Sequence, residues 1–247
     1  IQSVAFTAPT NKAVNVIKTK FKPHLRKIAE DILGKKMDET SNFDEIAEQI
    51  EEKGIIIKFM TIHRLLMFQT DYSITGEMIF VRDKKNASLI PSFDMVIIDE
   101  CSMISIDMVD TIFAELRDIE KGNIQTNDKI KGYMRIPKIV FTGDPAQLPP
   151  VNEEDSSIFC KNEKELSYAK YSEIMGIGCT GSNMIVSGIS EIMRDKYNIL
   201  IKDLSKMKTF LLKNVVRSRI GNVTKVCHEF RKYINREKPP NLEEYID

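Results

Sequence analysis

One apolar run, Val96-Ile97-Ile98, ends in two acids, Asp99-Glu100, and a second, Ile139-Val140-Phe141, leads through Thr142 into Gly143-Asp144-Pro145-Ala146-Gln147-Leu148-Pro149-Pro150. Buried strands of open α/β sheets read as continuous apolar runs, and ligands sit just beyond their carboxyl ends. Both runs therefore deliver polar side chains to where a ligand would lie. Adjacent acids there suit phosphoryl transfer, which needs a divalent cation between phosphates and a group that orients the attacking water. Asp99 is the candidate Mg2+ ligand, and Glu100 the candidate that orients water. In the second run Gly143-Asp144 predicts a tight turn, stiffened by Pro145, Pro149 and Pro150. The Gln147 amide is thereby aimed at a phosphate or at the attacking water. Taken singly, the first run reads more readily as a solvated turn and the second as a stiff surface loop; together they favour chemistry on ATP.

The surrounding elements must bring these residues to one place. Val4-Ala5-Phe6 reads as a strand, and Thr10 caps a helix through Ala13, Val14 and Ile17 that Pro23 is expected to end. Asn42 and Glu45 have capping-box spacing for a helix over Phe43 to Glu52, whose Ile46, Ala47 and Ile50 form an apolar stripe. Ile55 to Met60 is rich in β-formers, and Thr61 opens a short helix with His63, Arg64 and Leu65. Tyr72 to Val81 is β-prone on both sides of Thr75-Gly76, which predicts a hairpin projecting from the main sheet. A strand over Met95 to Ile98, a helix bearing Met108, Ile112, Phe113 and Leu116, and a strand over Ile139 to Phe141 complete the alternation. Strands alternating with helices argue for a mostly parallel sheet covered on both faces.

Beyond Val151 the pattern weakens: Glu153 to Lys170 is polar, and Gly176 to Ser190 is rich in Gly and Ser. A boundary or insertion is expected there. A helix from Asn222, carrying Val223, Val226, Cys227, Phe230 and Ile234 on one face, is stopped by Pro239-Pro240.

The 247 residues carry 36 basic and 36 acidic side chains, so no bulk field draws the chain to nucleic acid or membrane, and any such contact must be local. Four cysteines lack metal-ligand spacing and no secretory leader opens the sequence, which predicts a reducing intracellular compartment. No apolar stretch approaches the roughly 20 residues that cross a bilayer, so no membrane partner is expected.

With its motifs in this order, the chain resembles the superfamily 1B branch of DNA helicases, the RecD-like and PIF-type group. Thr7-Ala8-Pro9-Thr10-Asn11-Lys12-Ala13 resembles motif Ia and Thr61-Ile62-His63-Arg64-Leu65-Leu66 a second DNA-contact motif. Asp99-Glu100-Cys101-Ser102-Met103 resembles the Walker B motif, Gly143 to Val151 motif III, and Val215-Val216-Arg217-Ser218 motif IV. The resemblance implies a RecA-like P-loop NTPase fold: an α/β parallel sheet flanked by helices, an inserted β-hairpin, and the start of a second RecA-like domain. It divides the chain into a first motor domain over 1–151, with a pin-like hairpin at about 69–93, an insertion or connecting segment over 152–206, and a second domain beginning within 207–247.

By the same resemblance, ATP and Mg2+ are the cofactors, and single-stranded DNA and duplex junctions the partners. Pro9, Thr10, Asn11, Thr61 and His63 would touch the single strand, and Phe80 or Tyr72 would stack on the last base pair at the pin. Hydroxyls, an imidazole and backbone amides suit such sequence-tolerant contacts. Arg217, with Arg219 in reserve, would reach the γ-phosphate from the second domain. Travel would run 5′ to 3′.

No G-x-x-x-x-G-K-[ST] occurs in the sequence, although the resemblance places that phosphate loop just upstream of the first strand, and motifs V and VI are also missing. A central piece of a longer helicase is therefore expected, binding ATP poorly alone. Gly176-Ile177-Gly178-Cys179-Thr180-Gly181 matches a dinucleotide fingerprint, but no convincing strand precedes it. A non-translocating P-loop ATPase, or a catalytically inactive single-strand-binding module derived from a helicase, stands as the alternative.

Overall fold

A computed structural model describes residues 1–38, 41–72, 76, 78–82, 87–122, 136–178, 186–210 and 212. Four parallel strands form the main sheet in the order β2-β1-β5-β6, where β1 is Ser3–Ala8, β2 Ile56–Thr61, β5 Met95–Ile98 and β6 Lys138–Phe141. A separate antiparallel pair, β3 (Phe68–Tyr72) and β4 (Met78–Arg82), makes the hairpin. The predicted parallel sheet and projecting hairpin are both present.

Each face of the main sheet carries its own core. On one face α1 (Asn11–Leu33) and α2 (Phe43–Glu51) bury Leu25, Ala29, Ile46 and Ile50, while the edge strand β6 leaves Val140 exposed on that side. Phe6 and Phe59, directly paired across β1 and β2, stack there with ring centroids 5.0 Å apart. The opposite face collects Ala5, Val96 and Ile98 against α3 (Ile62–Leu65), α4 (Ile106–Glu120), α5 (Tyr168–Gly178) and α6 (Val186–Lys206).

The caps read from sequence are formed. Thr10 Oγ1 accepts the Ala13 N–H at 3.2 Å, and Asn42 and Glu45 make the reciprocal capping box. Pro23, however, does not end α1. The helix runs on for ten residues to Leu33 and stops at Gly34, whose left-handed φ of 64° lets its N–H reach the Glu30 carbonyl. An interior proline forfeits one backbone hydrogen bond and costs about 3 kcal/mol. Burial of Leu25 and Ala29 beyond it offsets that cost, because each side chain is wholly removed from solvent.

The weak region beyond Val151 contains two helices on the main core. Tyr171, Tyr197, Leu200 and Leu204 are buried with the α4 residues Val109 and Ile112. The Tyr197 hydroxyl donates to the Leu166 carbonyl at 2.7 Å, and Arg117 of α4 pairs with Asp203 of α6. The expected second-domain start, including Arg217, Arg219 and the helix from Asn222, lies outside the described residues apart from 207–210 and 212. The dinucleotide-like glycines Gly176 and Gly178 fall in the last turn of α5, after helix rather than strand.

Candidate functional site

Parallel register lines up the carboxyl ends of all four strands on one rim. Ala8 pairs with Thr61, Thr7 with Ile98, and Ile98 with Phe141. The ladder continues past the strands: Asp99 N donates to Thr7 O at 2.8 Å, Thr142 N to Ile98 O at 2.8 Å, and Cys101 N to Thr142 O at 3.0 Å. Across the rim the order is therefore Thr61 and His63 after β2, Pro9 to Asn11 after β1, Asp99 and Glu100 after β5, and Thr142 to Gln147 after β6. Pro9, Thr10, Asn11, Thr61 and His63, expected to meet nucleic acid, occupy two neighbouring strand ends, with Phe80 apart on the hairpin. Asp99, Glu100 and Gln147, expected to meet nucleotide, occupy the other two, and Arg217 lies outside the described residues.

Asp99 is half-buried, and its Oδ1 accepts the Thr142 hydroxyl at 2.8 Å. This cross-strand bond fixes one carboxylate oxygen and leaves the other free of any such bond to a described residue. Among the described residues no group of three His, Cys, Asp or Glu side chains could cage a metal. Mg2+ commonly uses one or two carboxylates plus substrate phosphates, so an oriented Asp99 beside a hydroxyl fits that ion without a cage.

Glu100 has φ 53° and ψ 41°, left-handed backbone that costs a side-chain-bearing residue roughly 1–2 kcal/mol. The sharp turn drives Cys101 and Ser102 inward, where both are buried. Burial foremost, and then the charges of Asp99 and Glu100, push the Cys101 thiol up to about 12, so it stays protonated and unreactive. Gly143 packs on it: a Cβ there would stand 2.7 Å from Cys101 Sγ and 3.0 Å from Cys101 N. The turn after Gly143 is closed by Gln147 N donating to Asp144 O at 3.0 Å and Ala146 N to Asp144 Oδ1 at 3.0 Å. Gln147 itself is exposed.

On the other half of the rim, Thr10 and Thr61 are both helix caps, Thr61 Oγ1 accepting the Arg64 N–H at 3.3 Å. Each hydroxyl retains its proton for donation. Asn11 opens α1 and is exposed, and Pro9 is half-buried. The His63 ring lies 4.1 Å from Phe80 and 6.1 Å from Phe68, so helix α3 and the hairpin are joined by an aromatic contact. Burial lowers the His63 pKa, favouring the uncharged imidazole. Phe80 thus spends part of its ring on His63, whereas Tyr72 near the hairpin tip is 68% exposed. A cavity of about 330 Å3 lies elsewhere, between α2 and β2, lined in part by Lys18, Lys58 and Arg64.

Three features were not legible as function in the sequence: the Thr142 hydroxyl, the closeness of Gly143 to Cys101, and Glu153. The first two depend on β5 and β6 being neighbours, which no local pattern encodes. Glu153 Oε1 accepts the Ile106 N–H at 2.9 Å from a buried position.

An acid pair, a hydroxyl and an amide-bearing loop thus stand together on adjoining strand ends of a parallel α/β sheet. The chain belongs to the AAA domain family, whose model matches residues 1–153. A protein of Acanthamoeba polyphaga mimivirus, described as uncharacterized, is 35% identical over 164 residues, or 64% of this chain. The chain spans 25% of that relative's length. Among solved structures, a Pif1 helicase from Bacteroides in complex with ADP-AlF3 and ssDNA is 18% identical, with a TM-score of 0.37 over 94% of this chain and 43% of that one. A structure of two coordinating Pif1 helicases at forked dsDNA is 16% identical, with a TM-score of 0.40 over 94% and 44%. Among the described residues no helix is long and apolar enough to cross a membrane.

Proposed function

We propose that this chain is part of an ATP-dependent DNA helicase that couples hydrolysis to 5′ to 3′ translocation on single-stranded DNA and to duplex unwinding. The observation that carries the reading is the rim: Asp99, held by Thr142 at 2.8 Å, beside Glu100 and the Gln147 loop, one strand away from Pro9, Thr10 and Asn11. Membership of the AAA domain family over 1–153 supports a nucleotide site at these strand ends. Bound Mg2+ would supply charge to the phosphates. Asp99 would hold it, and Glu100 would orient the attacking water and take up its proton. Gln147 would bond the γ-phosphate, so that the loop registers whether that phosphate is present. Arg217 would complete the site from a second RecA-like domain beginning within 207–247, after a first motor domain over 1–151 and a connecting segment over 152–206.

Thr10, Asn11, Thr61 and His63 would grip the phosphate backbone and bases without reading sequence. The hairpin β3–β4 would act as the pin, with Phe80 or Tyr72 against the last base pair. Unstacking one step costs on the order of 1.4 kcal/mol, about twice thermal energy, so a pin needs hydrolysis to run forward.

The test is ATP hydrolysis by the intact protein with and without single-stranded DNA, for wild type and Glu100→Gln. Strong DNA stimulation, abolished by E100Q, is expected. Equal rates with and without DNA would replace the motor by a non-translocating ATPase. DNA binding without any hydrolysis would leave an inactive single-strand-binding module.

A further inference from the structure

The Gln147 loop is fastened at both ends to the same short stretch of chain, residues 99–106. At its front, Thr142 bonds Asp99 at 2.8 Å, Cys101 N bonds Thr142 O at 3.0 Å, and Gly143 packs against Cys101 with no room for a Cβ. At its rear, Glu153 reaches back to α4. Its own N–H closes a turn onto Pro150 O at 3.2 Å, and its Oε1 accepts the N–H of Ile106, the first residue of α4, at 2.9 Å.

Glu153 is an unusual choice for a plain fastener. It is only 8% exposed, and its second oxygen, Oε2, is buried without a hydrogen-bond partner among the described residues. Burying an acid with one unmet oxygen is costly unless the bond that it does make is needed. That bond uses a helix N-terminal N–H, where the backbone's partial positive charge favours a carboxyl acceptor. Ser105 already caps the same helix by accepting the Met108 N–H, so the helix does not need Glu153 to begin.

We propose that Glu153 is a positioning residue of the nucleotide site: its carboxyl group bolts the rear of the 142–153 loop to α4 and so fixes Gln147 relative to Asp99 and Glu100. The inference rests on the phosphoryl-transfer reading of those three residues. Without the bolt the next rear anchor in the hydrophobic core is Ile158, five residues beyond Glu153, so the stretch that carries Gln147 gains slack. Misplacement by about 1 Å can cost up to about 10²-fold in a reaction that depends on alignment. Burial above all, and then the charge of Asp107 on α4, opposed by the Ile106 bond, push the Glu153 carboxyl up to about 7. Its charge therefore changes near neutrality.

The test compares kcat and KM for ATP of the intact protein on single-stranded DNA for wild type, Glu153→Met, Glu153→Gln, Glu153→Asp and Glu100→Gln. E153M fills the same space without an acceptor, and E153Q keeps an acceptor of the same reach. E153D falls one methylene short. Expected are an approximately tenfold lower kcat for E153M and E153D with KM within about twofold, and recovery to within about threefold of wild type for E153Q. Wild-type kcat in E153M, or E153Q as slow as E153M, overturns the role. Should E153M fail to fold, E153D against E153Q decides by the same criterion. An inactive E100Q beside a fully active E153M removes Glu153 alone, whereas an active E100Q removes the site assignment and this inference with it.

Discussion

Replacing Gly143 by alanine tests whether the two strand-end segments are truly interlocked. The added Cβ would meet Cys101 Sγ at 2.7 Å, Cys101 N at 3.0 Å and Ser102 N at 3.3 Å. Only the first of these neighbours is a side chain, so rotation of Cys101 relieves part of the clash and the backbone contacts remain. Overpacking of this kind costs about 1–3 kcal/mol. The loss of glycine's freedom in the unfolded chain returns about 0.4–1 kcal/mol. A net destabilisation of about 1–2 kcal/mol is expected, read from urea unfolding of wild type, G143A, C101A and the double variant. Removing the thiol should make the double variant more stable than the sum of the single effects predicts, by about 0.5–1 kcal/mol. A G143A protein within about 0.5 kcal/mol of wild type, or strictly additive effects, would refute the close packing of Gly143 on Cys101.

The Glu153 carboxyl lies near pH 7 in the folded chain against an ordinary 4.5. The folded state therefore holds a proton that the unfolded state releases, and stability should fall by about 3 kcal/mol as pH rises from about 4.5 through 7. Glu153→Gln should remove this slope from pH-dependent urea unfolding, and an unchanged slope would assign it to another group. Phe80→Ala should return the His63 imidazole toward its usual 6.5, measured by NMR titration of the ring protons, because the buried surface that lowers its pKa includes the Phe80 ring. Tyr197→Phe should cost about 1 kcal/mol in urea unfolding by deleting the hydroxyl that donates to the Leu166 carbonyl; no loss would show that this bond does not anchor α6.

Elements with strong local chemistry were legible in the sequence. Thr10, Asn42 and Glu45 announce helix starts because capping is decided within three residues. The apolar run ending at Ile98 announces the central strand β5, and the run ending at Phe141 the edge strand β6, whose Val140 is exposed. Pro23 misled because a local breaker was outweighed by distant burial of Leu25 and Ala29. The spacing of Tyr197, Leu200 and Leu204 carried a helical signal for α6, masked by the polar residues between them. At the candidate site, Asp99, Glu100 and Gln147 could be named as candidates from the sequence, but the groups they bond could not. The Thr142–Asp99 and Glu153–Ile106 bonds span 43 and 47 residues, and only strand order brings such distant positions together.

The order of strands across the sheet also acts as a ruler. Hydrogen-bonded neighbours sit about 4.8 Å apart, and a ladder of such bonds resists stretching in that direction. The segments after β1 and after β5 are one such interval apart, and the Asp99 N–H bonded to the Thr7 carbonyl locks that interval just below the rim. On the proposed reading, a strand held beside Asn11 and a nucleotide held beside Glu100 would thus be kept at constant separation. A stride by the proposed motor would then arise from displacement of another rigid unit against this one, with the sheet serving as the anvil.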